Sequence, residues 1–480
     1  MYEFDLSKPY CYYFNEISKI PHGSYNEKAI SDYVADFAKK RNLKYVQDEA
    51  MNVIIYKEAS KGYEDSKPLL LEAHMDMVCE KNKSSDHDFM KDPLDLEVID
   101  EEWLSARGTT LGSDDGYGVS YMLSILDDDT LVHPSLECCF TVEEEVGMGG
   151  VSRLDTSLFK ARRMISLDGG GEVQTATSSS GGCDAMQYVP VNYTDNSSET
   201  YKLSISGLSG GHSGGQIHME KGNSIKTAVR VLKLLELKGI KLNTVSIEGG
   251  LKRNAIPREC DVIFTSDNDY EDIIKYAKEI LKDLKTELEF SDAGVNVEVN
   301  KTDKVSRHMD DESTRRLIDY IYLSINGFQH RSMAIEGLTL ASLNIGVIRT
   351  EDDKVVIQTM IRSALSSYVD EMLNNIKTLA KVFGVSVENK GRYPGWNYKA
   401  ESDLRIKLDK VLHEVLGKEL VCQATHGGLE CGVFASISED MDIVSYGPVQ
   451  LDIHTPDERL NLPSFDRAYK VLVRMLKECK

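Results

Sequence analysis

Pro68 is followed by Leu69, Leu70 and Leu71, then by Glu72, Ala73, His74, Met75 and Asp76. Three consecutive leucines behind a proline fit a strand covered on both faces, because a half-exposed strand would alternate apolar with polar. The run ends in chemistry. His74 and Asp76 stand two residues apart, so in extended backbone they leave one face, where the carboxylate can orient the imidazole as in a metal site. Taken alone, the same tripeptide fits a surface turn.

Two further apolar runs end the same way. Leu136 to Val142 leads into Glu143, Glu144, Glu145, Val146 and Gly147, and Met164 to Leu167 leads into Asp168 and three glycines. Three glutamates behind a buried strand repel one another, and a nearby cation relieves that conflict. Between these runs, Thr109 to Gly118 is a glycine-bounded turn carrying Asp114 and Asp115. It opens a helix with Val119, Met122, Leu123 and Leu126 on its apolar positions. Acids at a helix start often serve as caps or dipole partners. In an open α/β sheet, however, ligands gather beyond the carboxyl ends of the strands, which is where all these groups fall.

A chain of 480 residues exceeds one ordinary core and should divide into domains. Strands are expected at Asn52 to Tyr56 and, as a two-stranded ribbon, at Leu94 to Ala106. Ser24 with Glu27 is expected to form a capping box for the helix bearing Ile30, Tyr33, Val34, Phe37 and Ala38, with His22 in the turn before it. From Asp184 to Arg392 the texture changes. Amphipathic helices (Ser224 to Leu237, Tyr270 to Leu284, Thr314 to Ile325, Val369 to Phe383) alternate there with short strands. Thr244 to Asn300 and Leu343 to Glu388 share one order of strand, loop, strand, helix, strand, which predicts two similar halves. Beyond Arg392 come a helix at Asp403 to Leu416, the stretch Thr425 to Gly432, Ile443 to Pro448, and His454 to Glu458 before a closing helix. The expected architecture is α/β. Residues 1–183 plus 393–480 form a mixed-sheet catalytic domain, into which residues 184–392 insert as an α+β lid.

Composition narrows the function. With 56 Lys+Arg against 78 Asp+Glu the formal charge is -22, which repels nucleic acid and anionic membrane surfaces. Met1 to Asp5 lacks the basic and apolar regions of a signal peptide, and no apolar run approaches the ~18–20 residues of a membrane helix, so a cytoplasmic protein is expected. Nine cysteines without C-x-x-C spacing suggest neither a disulfide framework nor a thiolate cage, but reduced core residues.

Collected, the candidate groups are His74, Asp114 or Asp115, Glu144, Glu145, Asp168 and His454. Imidazoles with this many carboxylates exceed a three-ligand zinc site and suit a pair of divalent ions sharing a carboxylate. A water activated between such ions, with a spare glutamate to take its proton, hydrolyses an amide without a covalent intermediate.

The ordered series His74-x-Asp76, Gly112-x-Asp114, Glu144-Glu145-x-Gly147, Asp168 and His454-x-Pro456 resembles the co-catalytic zinc metallopeptidases, the family that includes aminoacylase, carboxypeptidase G and several dipeptidases. Leu111 to Gly116, Gly210 to Gly215, Arg253 to Pro257 and His454 to Glu458 are most similar to its members that act on Xaa-His dipeptides. The resemblance implies that Asp114 bridges two metals, that His74 and Asp168 complete one, and that Glu145 and His454 complete the other. It makes Glu144 the general base and Asp76 the residue steering His74. In the lid it implies His212 at the oxyanion, Asn254 and Arg362 on the substrate carboxylate, and Gly427 approaching through its backbone. Asp115 stands where the family leads one to expect asparagine, and Glu143 receives no role. The implied cofactors are two divalent ions, zinc first, with manganese or cobalt acceptable to carboxylate-rich ligands. The implied partner is a dipeptide, and both a monomer and a homodimer stay open.

Competing readings are a deacylase or longer-chain exopeptidase of the same family, and a serine hydrolase using Ser213 in Gly211-His212-Ser213-Gly214-Gly215. The second needs a buried strand before the serine and a helix directly after it, and the sequence supports neither. His413-Glu414 begins like H-E-x-x-H, but Gly417 ends that match.

Overall fold

The structure, a computed structural model, describes residues 4–480. The N-terminal reading over Met1 to Glu3 lies outside the described residues. The chain forms two compact units. One comprises Met1–Ser179, Trp396–Ala424 and Leu429–Lys480, and the other comprises Ser180–Gly395 with Thr425–Gly428.

The first unit is built on a six-stranded sheet. In chain order its strands are β1 (Lys44–Gln47), β2 (Val53–Lys57), β3 (Leu69–His74), β4 (Leu136–Thr141), β5 (Arg163–Ser166) and, from the far end of the chain, Asp442–Ser445. Spatially they run β1, β2, β4, β3, β5, Asp442–Ser445. The leucine run lies at the centre, with every residue of β3, β4 and β5 buried, as an unbroken apolar pattern requires. β3 is parallel to β4, with Leu69 opposite Leu136 and His74 opposite Thr141, and parallel to β5, with Leu70 opposite Met164. Parallel strands end on one edge, so the segments after His74, Thr141 and Ser166 leave the sheet together. Leu96–Ile99 and Trp103–Ala106 form the expected ribbon.

The helix Ser113–Asp127 is buried from Asp115 to Leu126. At its far end Lys57 Nζ donates to the carbonyls of Ile125, Leu126 and Asp128 at 3.0–3.1 Å, occupying acceptors the helix leaves open. Its near end begins at Gly112, whose φ of +66° favours glycine and whose Cβ would lie 2.9 Å from Met77 Sδ.

Two sequence expectations need correction here. Ser24 does not cap the helix Lys28–Lys40; its hydroxyl donates to Asp76 Oδ2 at 2.8 Å, while Glu27 accepts from the Tyr25 amide at 2.8 Å. The buried carboxylate is the stronger acceptor for that hydroxyl. All nine cysteines are free, but Cys79 and Cys422 are exposed rather than in the core.

The second unit carries a nine-stranded sheet. Its main strands are β6 (Gly181–Pro190), β7 (Glu199–Ser206), β8 (Asn243–Gly249), β9 (Cys260–Ser266), β10 (Asn296–Lys301), β11 (Thr339–Thr350), β12 (Lys354–Ser363) and β13 (Ser386–Tyr393), with Gly327–Arg331 added to β11. The order is β10-β7-β9-β8-β11-β12-β6-β13. Each half is a βαββαβ unit. The first is β7, helix Ser224–Leu237, β8, β9, helix Tyr270–Glu287, β10; the second is β6, helix Asp311–Leu323, β11, β12, helix Ser366–Phe383, β13. The halves join through β8 and β11, with Glu248 opposite Arg349 and Gly249 opposite Ile348. The repeat read from sequence is therefore real but longer at its start. Each copy begins with an extra strand and helix, and the opening strand of the second copy, β6, precedes the whole of the first.

Thr425–Gly428 belongs to the second unit, whereas the sequence grouped it with the first. Ser180 explains this, because its amide donates to the Gly427 carbonyl at 2.8 Å and its hydroxyl to the His426 carbonyl at 2.9 Å.

Candidate active site

The site in the first unit begins with His74, the last residue of β3. Its Nδ1–H donates to the Asp76 carbonyl at 2.9 Å, so in the neutral ring Nε2 carries the lone pair, although against burial the hydrogen bonds to Asp114 and Asp76 raise this imidazole well above its ordinary pKa and favour a proton there. That lone pair faces Asp114 Oδ1 at 3.3 Å. An acceptor set against an acceptor in a buried site calls for a proton or a cation between them. The other oxygen, Asp114 Oδ2, lies 3.2 Å from His454 Nε2, and that nitrogen lies 2.9 Å from Glu145 Oε1. One carboxylate thus meets an imidazole on each oxygen. Neighbouring ligands on a tetrahedral ion with bonds of about 2.0–2.1 Å lie roughly 3.3–3.4 Å apart, so the spacing fits bound metal. His74, Asp114 and Glu145 each offer an atom within 4.8 Å of the others.

The electrostatics agree. Burial would raise Asp114, but the hydrogen bonds of His454 and His74 hold it below the usual carboxylate range. Those bonds, to Asp114 first and then Glu145, push His454 up to about 10. Burial, then the Asp114 charge, pushes Asp168 up to about 7. Burial also raises Glu144 well above an ordinary glutamate, helped by the charges of Asp168, Glu145 and Asp114. A set of acids that collects protons in this way is a set lacking positive charge.

Asp76 does more than steer an imidazole. Its carboxylate stands 3.6 Å from His74 Nδ1, and it accepts the amides of Glu144 at 3.0 Å and Glu145 at 3.3 Å, so it anchors the segment after β4 to the segment after β3. Asp115 is buried, and its carboxylate accepts from the Gly118 amide at 3.3 Å. Glu143 pairs with Arg153 at 2.9 Å, a structural contact.

Glu458 is the residue the sequence reading missed. Its carboxylate, 2% exposed, accepts the amides of Leu111 at 2.8 Å, Gly112 at 3.1 Å and Ser113 at 2.8 Å, together with Ser113 Oγ at 2.7 Å. It holds the loop that presents Asp114. The available signal was an acid four residues beyond His454 in the stretch Thr455-Pro456-Asp457-Glu458.

In the second unit, His212 Nδ1 accepts the amides of Gly214 at 3.3 Å and Gly215 at 3.0 Å, which leaves Nε2 as the N–H donor. Burial and then Arg362 lower its pKa, so the ring is neutral near pH 7. Arg362 is 5% exposed, and its Nε has no partner. The carbonyl of Asn254 accepts from the Ser213 amide at 2.9 Å, and the side chain is exposed. Gly427 is held by Thr425 Oγ1, which accepts its amide at 3.0 Å. The Ser213 alternative lacks its scaffold, because only a two-residue strand, Gly211–His212, precedes the serine and a short 3-10 turn, Ile217–Met219, follows it.

The chain is similar to known proteins in sequence and fold. The family model described as peptidase family M20/M25/M40 matches residues 70–478. The cytosol non-specific dipeptidase of Escherichia coli (strain K12) is 34% identical over 473 residues, 97% of this chain and 96% of its own length. The crystal structure of aminoacylhistidine dipeptidase from Vibrio alginolyticus superposes with a TM-score of 0.90 at 31% identity, covering 98% of this chain and 96% of that one. Aminopeptidase PepT from Bacillus cereus shares the fold at a TM-score of 0.56 and 16% identity, across 99% of this chain and 100% of its own. Matched by the family model over most of its length and 34% identical to one relative over 97% of it, the chain belongs to peptidase family M20/M25/M40.

Proposed function

We propose that the chain is a metal-dependent dipeptidase of the cytosol that cleaves dipeptides, Xaa-His among them. The observation carrying this reading is Asp114, with an imidazole on each carboxylate oxygen and Glu144, Glu145 and Asp168 around it. The names of the relatives support it, one a cytosol non-specific dipeptidase and the other an aminoacylhistidine dipeptidase. His74 and Asp168 would hold one divalent ion, Glu145 and His454 a second, with Asp114 shared between them. Zinc suits these donors, and manganese or cobalt can replace it. The bound ions would lower the pKa of a water and polarise the scissile carbonyl.

The remaining work falls to side chains. Glu144 accepts the proton of the attacking water and delivers it to the leaving amine, a task suited to a half-buried carboxylate with a raised pKa. Asp76 keeps Glu144 and Glu145 in place through their amides. The second unit acts as the recognition lid. His212 Nε2–H donates to the oxyanion developing on the carbonyl, and Arg362 and Asn254 take the substrate's terminal carboxylate, with Gly427 close to the substrate backbone.

The test is a panel of dipeptides, His-terminated members included, with one tripeptide, assayed on protein stripped by chelator and re-supplied with zinc, manganese or cobalt. Metal-dependent cleavage of dipeptides but not the tripeptide is expected. Activity that survives chelation would overturn the reading.

A further inference from the structure

Arg362 is a buried cation without a carboxylate of its own. Among the described residues, its side chain makes one hydrogen bond, a 3.4 Å contact from Nη1 to Tyr393 Oη. The register of the second sheet shows what surrounds it. Across β11, β12, β6 and β13, one row reads Ser342, Arg362, Gly182, Tyr393, and the next row on the same face reads Asn344, Met360, Asp184, Lys390. Asp184 is therefore the diagonal neighbour of Arg362, and its charge acts on that guanidinium without an ion pair between them. Its Oδ2 is taken by Arg253 Nη1, and its Oδ1 is buried with no hydrogen-bond partner among the described residues.

Arg253 is held to this face by its backbone as well. Asn344 Nδ2 donates to the Arg253 carbonyl at 3.1 Å and to the Ala255 carbonyl at 2.8 Å, and a Cβ at Gly346 would stand 2.7 Å from Arg253 Cα. Its side chain is half exposed. Lys390, the other cation in these rows, lies 3.4 Å from Glu388. Two guanidiniums thus share one carboxylate, and the cluster keeps one positive charge, in a chain whose net charge is strongly negative. A single carboxylate from outside would balance it.

We propose that Arg253, fixed by its ion pair with Asp184, is a second binding residue for the terminal carboxylate of the substrate, acting beside Arg362. The inference rests on the dipeptidase reading above and deepens it, because two cations over one carboxylate select a substrate with a free C-terminus. Arg253 touches substrate only through this group, so its removal acts on carboxylate recognition and leaves the hydrolytic groups intact.

The experiment compares a dipeptide with its C-terminal amide on metal-loaded wild type, Arg253→Met and Arg253→Lys. Losing one charge-assisted contact should raise KM for the free acid about tenfold to a hundredfold in Arg253→Met, with kcat little changed. The KM for the amide should stay within about twofold of wild type. Arg253→Lys keeps the charge but loses the fork, and should fall between the two; it carries the test if the methionine variant fails to fold. If wild type cleaves dipeptides and the variants affect acid and amide equally, or affect neither, Arg253 has only a structural role and the proposal falls alone. Wild type without metal-dependent dipeptide cleavage would remove the dipeptidase reading and the proposal together.

Discussion

Replacing Glu458 by glutamine should weaken metal binding without changing any ligand. Oε2 accepts the Leu111 and Gly112 amides and Oε1 accepts the Ser113 amide and hydroxyl, so every neighbour is a donor. Glutamine replaces one acceptor with an –NH2 group, which must face donors either way it turns. The cheaper orientation points –NH2 at Ser113, whose hydroxyl can pass its proton to Gln450 Oε1, 2.6 Å away, and become the acceptor. The Ser113 amide is then left buried and unpaired, at a cost of about 1–3 kcal/mol. The amides still bonded lose a charged acceptor, worth about 1 kcal/mol more. The total, about 2–4 kcal/mol, falls on the loop that carries Asp114. Residues that orient metal ligands typically change affinity about 10- to 100-fold when replaced. Zinc competition against a chromophoric chelator and urea unfolding of the metal-free protein measure the two consequences without reference to turnover. A Glu458→Gln protein with wild-type zinc affinity and a wild-type unfolding midpoint would refute the assignment.

Further expectations concern the other groups. Glu144→Gln should keep metal content near wild type by elemental analysis yet lose nearly all turnover, while His454→Ala should lose metal; an active Glu144→Gln would show that the base lies elsewhere. His212→Ala should cut kcat about 10²- to 10³-fold with KM little changed in steady-state assays, and a rise in KM alone would place His212 in binding instead. Burial first, then Arg362, pushes His426 down to about 3 from an ordinary 6.5, so its ring is neutral when folded and accepts a proton more readily when unfolded. Its contribution is complete above about pH 6.5 and is lost as pH falls towards 3. Urea midpoints of the His426→Gln protein should therefore fall less between pH 7 and pH 4 than those of wild type, and parallel curves would count against this origin.

The sequence was legible where one local rule decided the outcome. Leu69 to Leu71 read as a buried central strand because continuous apolar runs have few alternatives. The helices Ser224–Leu237 and Asp403–Leu416 match their expected spans because capping residues bound them, Asn223 before the first and Ser402 and Gly417 around the second. The acids behind β3, β4 and β5 drew attention for the same reason, as charges beside buried strands. What stayed hidden depends on distant partners. Glu458 finds its donors 347 residues earlier at Leu111, and those donors are backbone amides, which leave no trace in side-chain identity. Ser24 reads as a cap until the Asp76 carboxylate competes for its hydroxyl. Thr425–Gly428 looks like a continuation of the first unit because its ties to the second, the hydrogen bonds from Ser180 and the one between Ser342 Oγ and His426 Nε2 at 2.7 Å, come from residues far away in the chain.

The placement of β6 has a consequence for how the chain acquires its structure. The first half of the second unit, β7 to β10, is contiguous, so its contacts are local and can form as soon as Lys301 has been synthesised. β6 is made earlier, yet both strands that flank it, β12 and β13, come after residue 353. During synthesis it waits with two unpaired edges, in a segment rich in apolar side chains (Ala185, Val189) that can capture foreign strands. Contacts of such long sequence separation form slowly. Folding of the second half should thus be the slow, aggregation-exposed phase of this molecule, while the half beside it folds early and offers the β8 edge as a template on which β11 starts the rest.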